Sequence, residues 1–242
     1  MGRAVPGRSH VLLNRDLFDE FAALLAAAKW DVALLQEVPP RWDERLAAAT
    51  KSTRFRALTS RMWMSPVCSP IARVRPHLPG SWEGGSNLIL VRKERPGSVI
   101  AQKENRTLTW TPERRALSLV RLADGLCVAN LHASTGRERG ERDVLKAAEI
   151  AVHWAGESPL VFGGDFNIRP RTSGSVFGEL HEYYGFTEPT EPGSIDHLLL
   201  RGGEVLEPTE SWKPERRDVP DLDSDLMVRL SDHSPVVSQI SS

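Results

Sequence analysis

Apolar residues recur at helical spacing at Leu17, Phe18, Phe21, Leu24, Leu25 and Ala28, a stripe that predicts an amphipathic helix. Asn14 is placed to cap it, and Asp16, Asp19 and Glu20 fall near the positive end of the helix dipole. Lys29–Trp30–Asp31 breaks the spacing. Val32 to Leu35 is then a continuous apolar run of buried-strand type, which Pro39–Pro40 stops after Gln36–Glu37. The same order returns later. Val144, Leu145, Ala148, Ala151, Val152 and Ala155 mark a second amphipathic helix, Gly156 and Pro159 close it, and Leu160–Val161–Phe162 leads into Gly163–Gly164–Asp165. Two carboxylates therefore stand at the exits of two buried strands.

Between these units, Asn87 to Val91 and Ala116 to Leu122 read as strands, and Asp124–Gly125 as a hairpin turn into Leu126 to Leu131. Ile195 to Leu200 and Pro235 to Ile240 supply two more, separated by a proline- and charge-rich loop. The pattern predicts an α/β fold with much antiparallel pairing. Thr59 to Ser86 carries Trp63, Trp82, four prolines and little periodicity, and is expected to be a long functional loop.

Composition narrows the class. A chain of 242 residues, 40% hydrophobic and 26% charged, can bury one substantial core, and residues 1–242 are expected to form a single domain. A formal net charge of −1 gives no global positive field for nucleic acid or anionic membrane, so any such binding must use local patches. Cys68 and Cys127 make neither a metal spacing nor a disulfide framework and read as packing residues of a reducing compartment. No apolar stretch has the length of a membrane span and Met1 does not open a signal peptide, so a cytoplasmic protein with no obligate protein partner is expected.

The chemistry sits at the ends of the apolar runs. Glu37 follows LLQ, His132 closes NLH, Asp165 and Asn167 belong to GGDFN, and Asp196, Asp232 and His233 come from IDH and SDHSP. Taken singly, a strand-end glutamate is usually a surface residue and a strand-end histidine usually a hydrogen-bonded structural group. GGDFN says more, because two glycines allow close backbone approach before a carboxylate and an amide that can face one site. An aspartate beside a histidine before a final strand pairs a metal-side oxygen with an imidazole that moves protons near neutral pH. His197 reads as inward packing. Together the acidic, amide and imidazole groups suit Mg²⁺-assisted attack of water on a phosphate ester.

LLQE, strand–NLH, GGDFN, IDH and SDHSPV in this order resemble the endonuclease/exonuclease/phosphatase superfamily, from about Asn14 to Ile240. The resemblance implies an α/β four-layer sandwich of two mixed β-sheets flanked by helices. It makes Glu37 the principal ligand of Mg²⁺, or of Mn²⁺, with Asp232 beside the metal. Asp165 and Asn167 would position the attacking water and the phosphate oxygens, Asp196 would orient His233, and His132 would contact the phosphate or leaving group. Whether His233 enters as a base or as a charged clamp stays open.

The family's first sheet strand ends in an asparagine and precedes the first helix. Here only thirteen residues precede Asn14, without strand-like alternation, and Asn14 suits the helix cap. The first strand is therefore expected to be missing, through a start placed too far downstream, leaving a neighbouring strand unpaired. For the substrate, Arg169 and Arg171, close after Asn167, are the expected phosphate contacts. Arg114–Arg115 is a further candidate, while the 137–142 and 213–217 groups, interleaved with glutamates, read as solvated surface. A phosphodiesterase or nuclease leads. The alternatives are a phosphomonoesterase or phospholipid phosphoesterase of the same fold, or a non-catalytic binding domain with an incomplete site.

Overall fold

The computed structural model of the chain describes residues 3–4, 16–59, 85–111, 113–221, 225 and 227–241, the first two by backbone alone. In chain order its elements are β1 (Arg3–Ala4), α1 (Phe18–Ala27), β2 (Val32–Val38), α2 (Asp43–Ala49), β3 (Ser52–Leu58), β4 (Ser86–Arg92), β5 (Ile100–Thr109) and β6 (Arg115–Leu122). Then follow β7 (Cys127–His132), α3 (Arg137–Ala155), β8 (Leu160–Asp165), α4 (Gly174–Glu182), β9 (Asp196–Arg201), β10 (Glu204–Ser211), β11 (Asp218–Pro220), β12 (Met227–Arg229) and β13 (Val236–Ser241).

The apolar faces of these elements build four layers. A five-stranded sheet runs β5-β6-β7-β8-β9, antiparallel except for the β7–β8 pair, and a three-stranded antiparallel sheet runs β2-β4-β3. Ile89 and Val91 from one sheet meet Val120, Leu122 and Val128 from the other in a core between them. The outer face of the larger sheet buries Phe162, Leu131 and Leu119 against α3 and α4, through Val144, Ala147, Ala148, Ala151, Phe177 and Leu180. The outer face of the smaller sheet buries Leu88 and Leu90 against Phe18 and Ala22 of α1 and Leu46 of α2. The architecture is a helix-flanked sandwich, as the family resemblance implies.

Several boundaries differ from the periodicity. Helix α1 starts at Phe18 with Leu17 at its N-cap and no side-chain cap bond, while Asn14, the expected cap, lies outside the described residues. Helix α3 starts seven residues before its first apolar stripe residue because its first turn is polar, held by Arg137 Nε donating to Glu141 Oε1 at 2.9 Å. Strand β5 leaves no alternating apolar signature, since most of it is exposed on the sheet edge. Residues 60–84, including Trp63 and Trp82, and Cys68 lie outside the described residues; Cys127 is buried, as expected of a packing residue.

β1 pairs antiparallel with β12, in a small sheet with β11, and not with β2. Among the described strands β2 pairs only with β4, and β13 only with β10. Val32–Val38 and Val236–Ile240 both line one groove of 2450 Å³, whose far reach includes the candidate site.

Candidate active site

Strand register puts three of the expected residues in one row. His132 on β7 is paired with Asp165 on β8, and Asp165 with Asp196 on β9. Glycine makes this row possible. A Cβ on Gly164, whose φ is +125°, would stand 2.0 Å from the Leu131 carbonyl oxygen, and one on Gly163 would stand 2.6 Å from Leu198 Cδ2. The GG of GGDFN thus lets β8 pack where a larger residue would push its two neighbours apart.

Asp165 is almost fully buried, and its carboxylate is held by one residue. Oδ1 accepts from the Asn167 backbone N–H at 2.8 Å and Oδ2 from Asn167 Nδ2 at 3.2 Å, while Asn167 Nδ2 also donates to the Ala133 carbonyl at 3.0 Å. Asn167 adopts a positive φ of 54° to do so. Burial first, then the negative charges of Asp196 and Glu37, push the Asp165 carboxyl up to about 6, against the lowering effect of Asn167 and His233.

His233 arrives from the loop before β13. Its Nδ1 lies 3.0 Å from Asp196 Oδ2 and 3.3 Å from Oδ1. The bond to Asp196, with the carboxylates around it, raises the imidazole to about 9 against the cost of burial, so in the metal-free site it is cationic at neutral pH. His132 goes the other way. Burial, Arg115 and His233 hold it down to about 3, so its 3.6 Å approach from Nε2 to Asp165 Oδ2 is not an ion pair but a neutral contact. Among the described residues His132 Nδ1 is buried with no hydrogen-bond partner, an acceptor or donor left for something else.

Glu37 stands at the end of β2, exposed, with a φ of 56°. The β2–β4 register slips between Leu35 and Val38, so Gln36 and Glu37 form a bulge that turns this carboxylate out of the ladder. Gln36 Nε2 donates to Asn130 Oδ1 at 2.7 Å, and Asn130 Nδ2 donates to the Leu35 and Leu88 carbonyls at 3.2 Å each. Asn130 is fully buried between the sheets and ties the bulge to β7. Nothing in the spacing marks it except its place one turn of the pleat before His132.

Glu37, His132, Asp165, Asn167, Asp196, Asp232 and His233 all line the one groove. Asp232 also acts on its neighbour, its charge helping to raise His233. Arg169 and Arg171 do not line the groove; Arg169 Nε donates to the Gly193 carbonyl at 3.1 Å on an exposed loop. Arg114, Arg115, Arg216 and Arg217 line it instead. Arg217 corrects the solvated-surface reading of residues 213–217, because it is buried and its Nη1 donates to the Ser231 and His233 carbonyls at 2.7 and 2.6 Å. It fixes the SDH loop. His197 is fully buried between Phe166 and Phe177, with ring centroids at 5.3 and 4.8 Å.

Asp165, Asp196 and His233 offer ligand atoms within 4.8 Å of one another, and Glu37 and Asp232 add two more carboxylates to the groove. Such an oxygen-rich set suits a hard divalent cation. Burial is the main cause of the raised Asp165, and the negative charges of Asp196 and Glu37 add to it.

The chain matches the model of the Endonuclease/Exonuclease/phosphatase family over residues 8–233. No curated protein matches it. Its fold is similar to that of an endonuclease/exonuclease/phosphatase family protein from Bacteroides thetaiotaomicron, at 15% identity and a TM-score of 0.61 over 92% of this chain and 85% of that one. A functionally unknown conserved protein from Enterococcus faecalis V583 gives 18%, 0.60, 93% and 90% for the same measures. Humanized D. rerio TDP2 gives 17%, 0.57, 93% and 90%. At these identities the likeness is one of fold.

Proposed function

Because the chain belongs to the Endonuclease/Exonuclease/phosphatase family, whose common step is hydrolysis of a phosphate ester, we propose that it is a Mg²⁺-dependent phosphodiesterase acting on nucleic acid or a related diester. The observation that carries the reading is the Asp196–His233 contact at 3.0 Å beside the buried Asp165.

Each residue has a task its surroundings suit. Asp165, buried and held by Asn167, is a carboxylate placed to take a proton from an attacking water. Asn167 keeps that carboxylate in one orientation. His233, fixed by Asp196, presents an imidazolium N–H to the phosphate oxygens as charge builds on them, which favours the clamp role over the base role. Neutral His132, with a free ring nitrogen, stands on the leaving-group side. Glu37 and Asp232 are the residues we assign to Mg²⁺, with Mn²⁺ as a substitute. When bound, the cation supplies Lewis-acid neutralisation of the phosphate oxygens.

Plasmid DNA, RNA, a bis-aryl phosphate and inositol phosphates offered with Mg²⁺ or Mn²⁺ test this. The proposal expects cleavage of at least one diester that stops in excess chelator. Cleavage of monoesters alone moves the function to a phosphatase, and no cleavage of any substrate makes the domain a binding module.

A further inference from the structure

One side of the groove carries a feature that the hydrolytic residues do not use. The hairpin between β5 and β6 brings Trp110, Thr111, Glu113, Arg114 and Arg115 to the groove that His132, Asp165 and Asn167 also line. Thr109 pairs with Arg115 at the base of the tip, and Arg115 is close enough to His132 for its charge to act on that ring. Arg115 is itself buried and tied by Nη2 to Glu113 Oε2 at 2.6 Å.

Trp110 is 60% exposed, one of few large apolar side chains among the described residues so placed. It contributes to none of the core clusters, so packing does not account for it. The Arg114 guanidinium carbon lies 5.0 Å from its ring centroid, a distance at which a cation is attracted to an indole face. Arg114 Nη2 is held by Thr107 Oγ1 at 3.2 Å, while its Nε is buried and has no partner among the described residues. An open indole braced by a fixed guanidinium, on the wall of a groove lined with catalytic carboxylates, is a platform for a planar ring. Aromatic stacking of this kind holds nucleobases without reading their sequence.

We propose that Trp110, braced by Arg114, stacks a nucleobase of the diester whose phosphate lies between His132 and His233, and so selects nucleotide esters over alkyl, lipid or inositol esters. The inference rests on the phosphodiesterase reading for the position of the phosphate, and the ring-stacking surface stands on its own geometry. Trp110 and Arg114 position the substrate and take no part in bond breaking.

Two p-nitrophenyl diesters separate the roles, since thymidine 5′-(p-nitrophenyl phosphate) and methyl p-nitrophenyl phosphate share a leaving group, and only the first carries a nucleoside with a base to stack. Trp110→Ala should raise KM for the thymidine ester about tenfold or more, the worth of one stacked base, leave its kcat unchanged, and leave both constants for the methyl ester unchanged. Trp110→Phe should recover most of the loss. In parallel, binding of oligothymidylate in chelator, followed by fluorescence anisotropy, should weaken about tenfold in Trp110→Ala. Equal effects on both esters, or unchanged binding in Trp110→Ala of unaltered melting temperature, overturn the inference. If neither ester is cleaved but oligothymidylate binding depends on Trp110, the hydrolytic reading fails and the base-stacking surface remains.

Discussion

Asp196 and His233 are 37 positions apart in the chain and bring a carboxylate oxygen and Nδ1 to 3.0 Å. Strand β9 fixes the first and Arg217, through its bonds to the Ser231 and His233 carbonyls, fixes the second. Groups that act as one unit lose their effect together. Asp196→Asn and His233→Ala should each cost about two orders of magnitude or more in kcat, and the double variant little beyond either. Multiplicative losses in the double variant would show that the two residues act separately.

Glu37 is held at a positive φ in a β-bulge, a conformation that costs a non-glycine residue of order 1 kcal/mol or more and that persists where the position is used. Glu37→Gln should lose most activity and weaken Mg²⁺ binding in calorimetry while keeping the melting temperature. Glu37→Gly should lose activity equally, since it lacks the carboxylate, and melt at or above the wild-type temperature. Retained Mg²⁺ affinity in both variants would remove Glu37 from the metal site.

Asp165 gives a pH signature. Its folded value of about 6 exceeds the ordinary 3.8, so ionisation is harder in the folded state. Its contribution to stability is complete below the ordinary value and is lost as pH rises through about 6. Asp165→Asn should therefore raise the melting temperature at pH 8 in chelator and give no such gain at pH 4. Mg²⁺ should stabilise wild type more than the variant, because ligands that bind only the folded state add to its stability. A pH-independent difference between the two proteins would contradict this account of the buried carboxyl.

The strands were legible where burial is two-sided. Val32 to Leu35 and Leu160 to Phe162 are continuous apolar runs because both faces of β2 and β8 are covered, and the residues just beyond them, Glu37 and Asp165, open into the groove. The edge strands β5 and β10 left no such trace, since their exposed polar positions obey no period. In the site, the motif residues came together, but the basic groups did not follow sequence proximity. Arg169 follows Asn167 by two positions yet bonds an exposed loop carbonyl, whereas Arg217, set among charges that read as surface, is buried beneath His233. Asn130 carried no pattern because its importance is a bond between sheets, to Gln36, which only the packing of the two layers creates.

The central claim is that this groove hydrolyses a phosphodiester with a divalent cation and the Asp196–His233 pair. The direct measurement is the initial rate of bis(p-nitrophenyl) phosphate hydrolysis by wild type in Mg²⁺, by wild type in excess chelator, and by His233→Ala in Mg²⁺. The account predicts p-nitrophenol release in the first case and a fall of about two orders of magnitude or more in the other two. Release at the wild-type rate in chelator or in His233→Ala would contradict it.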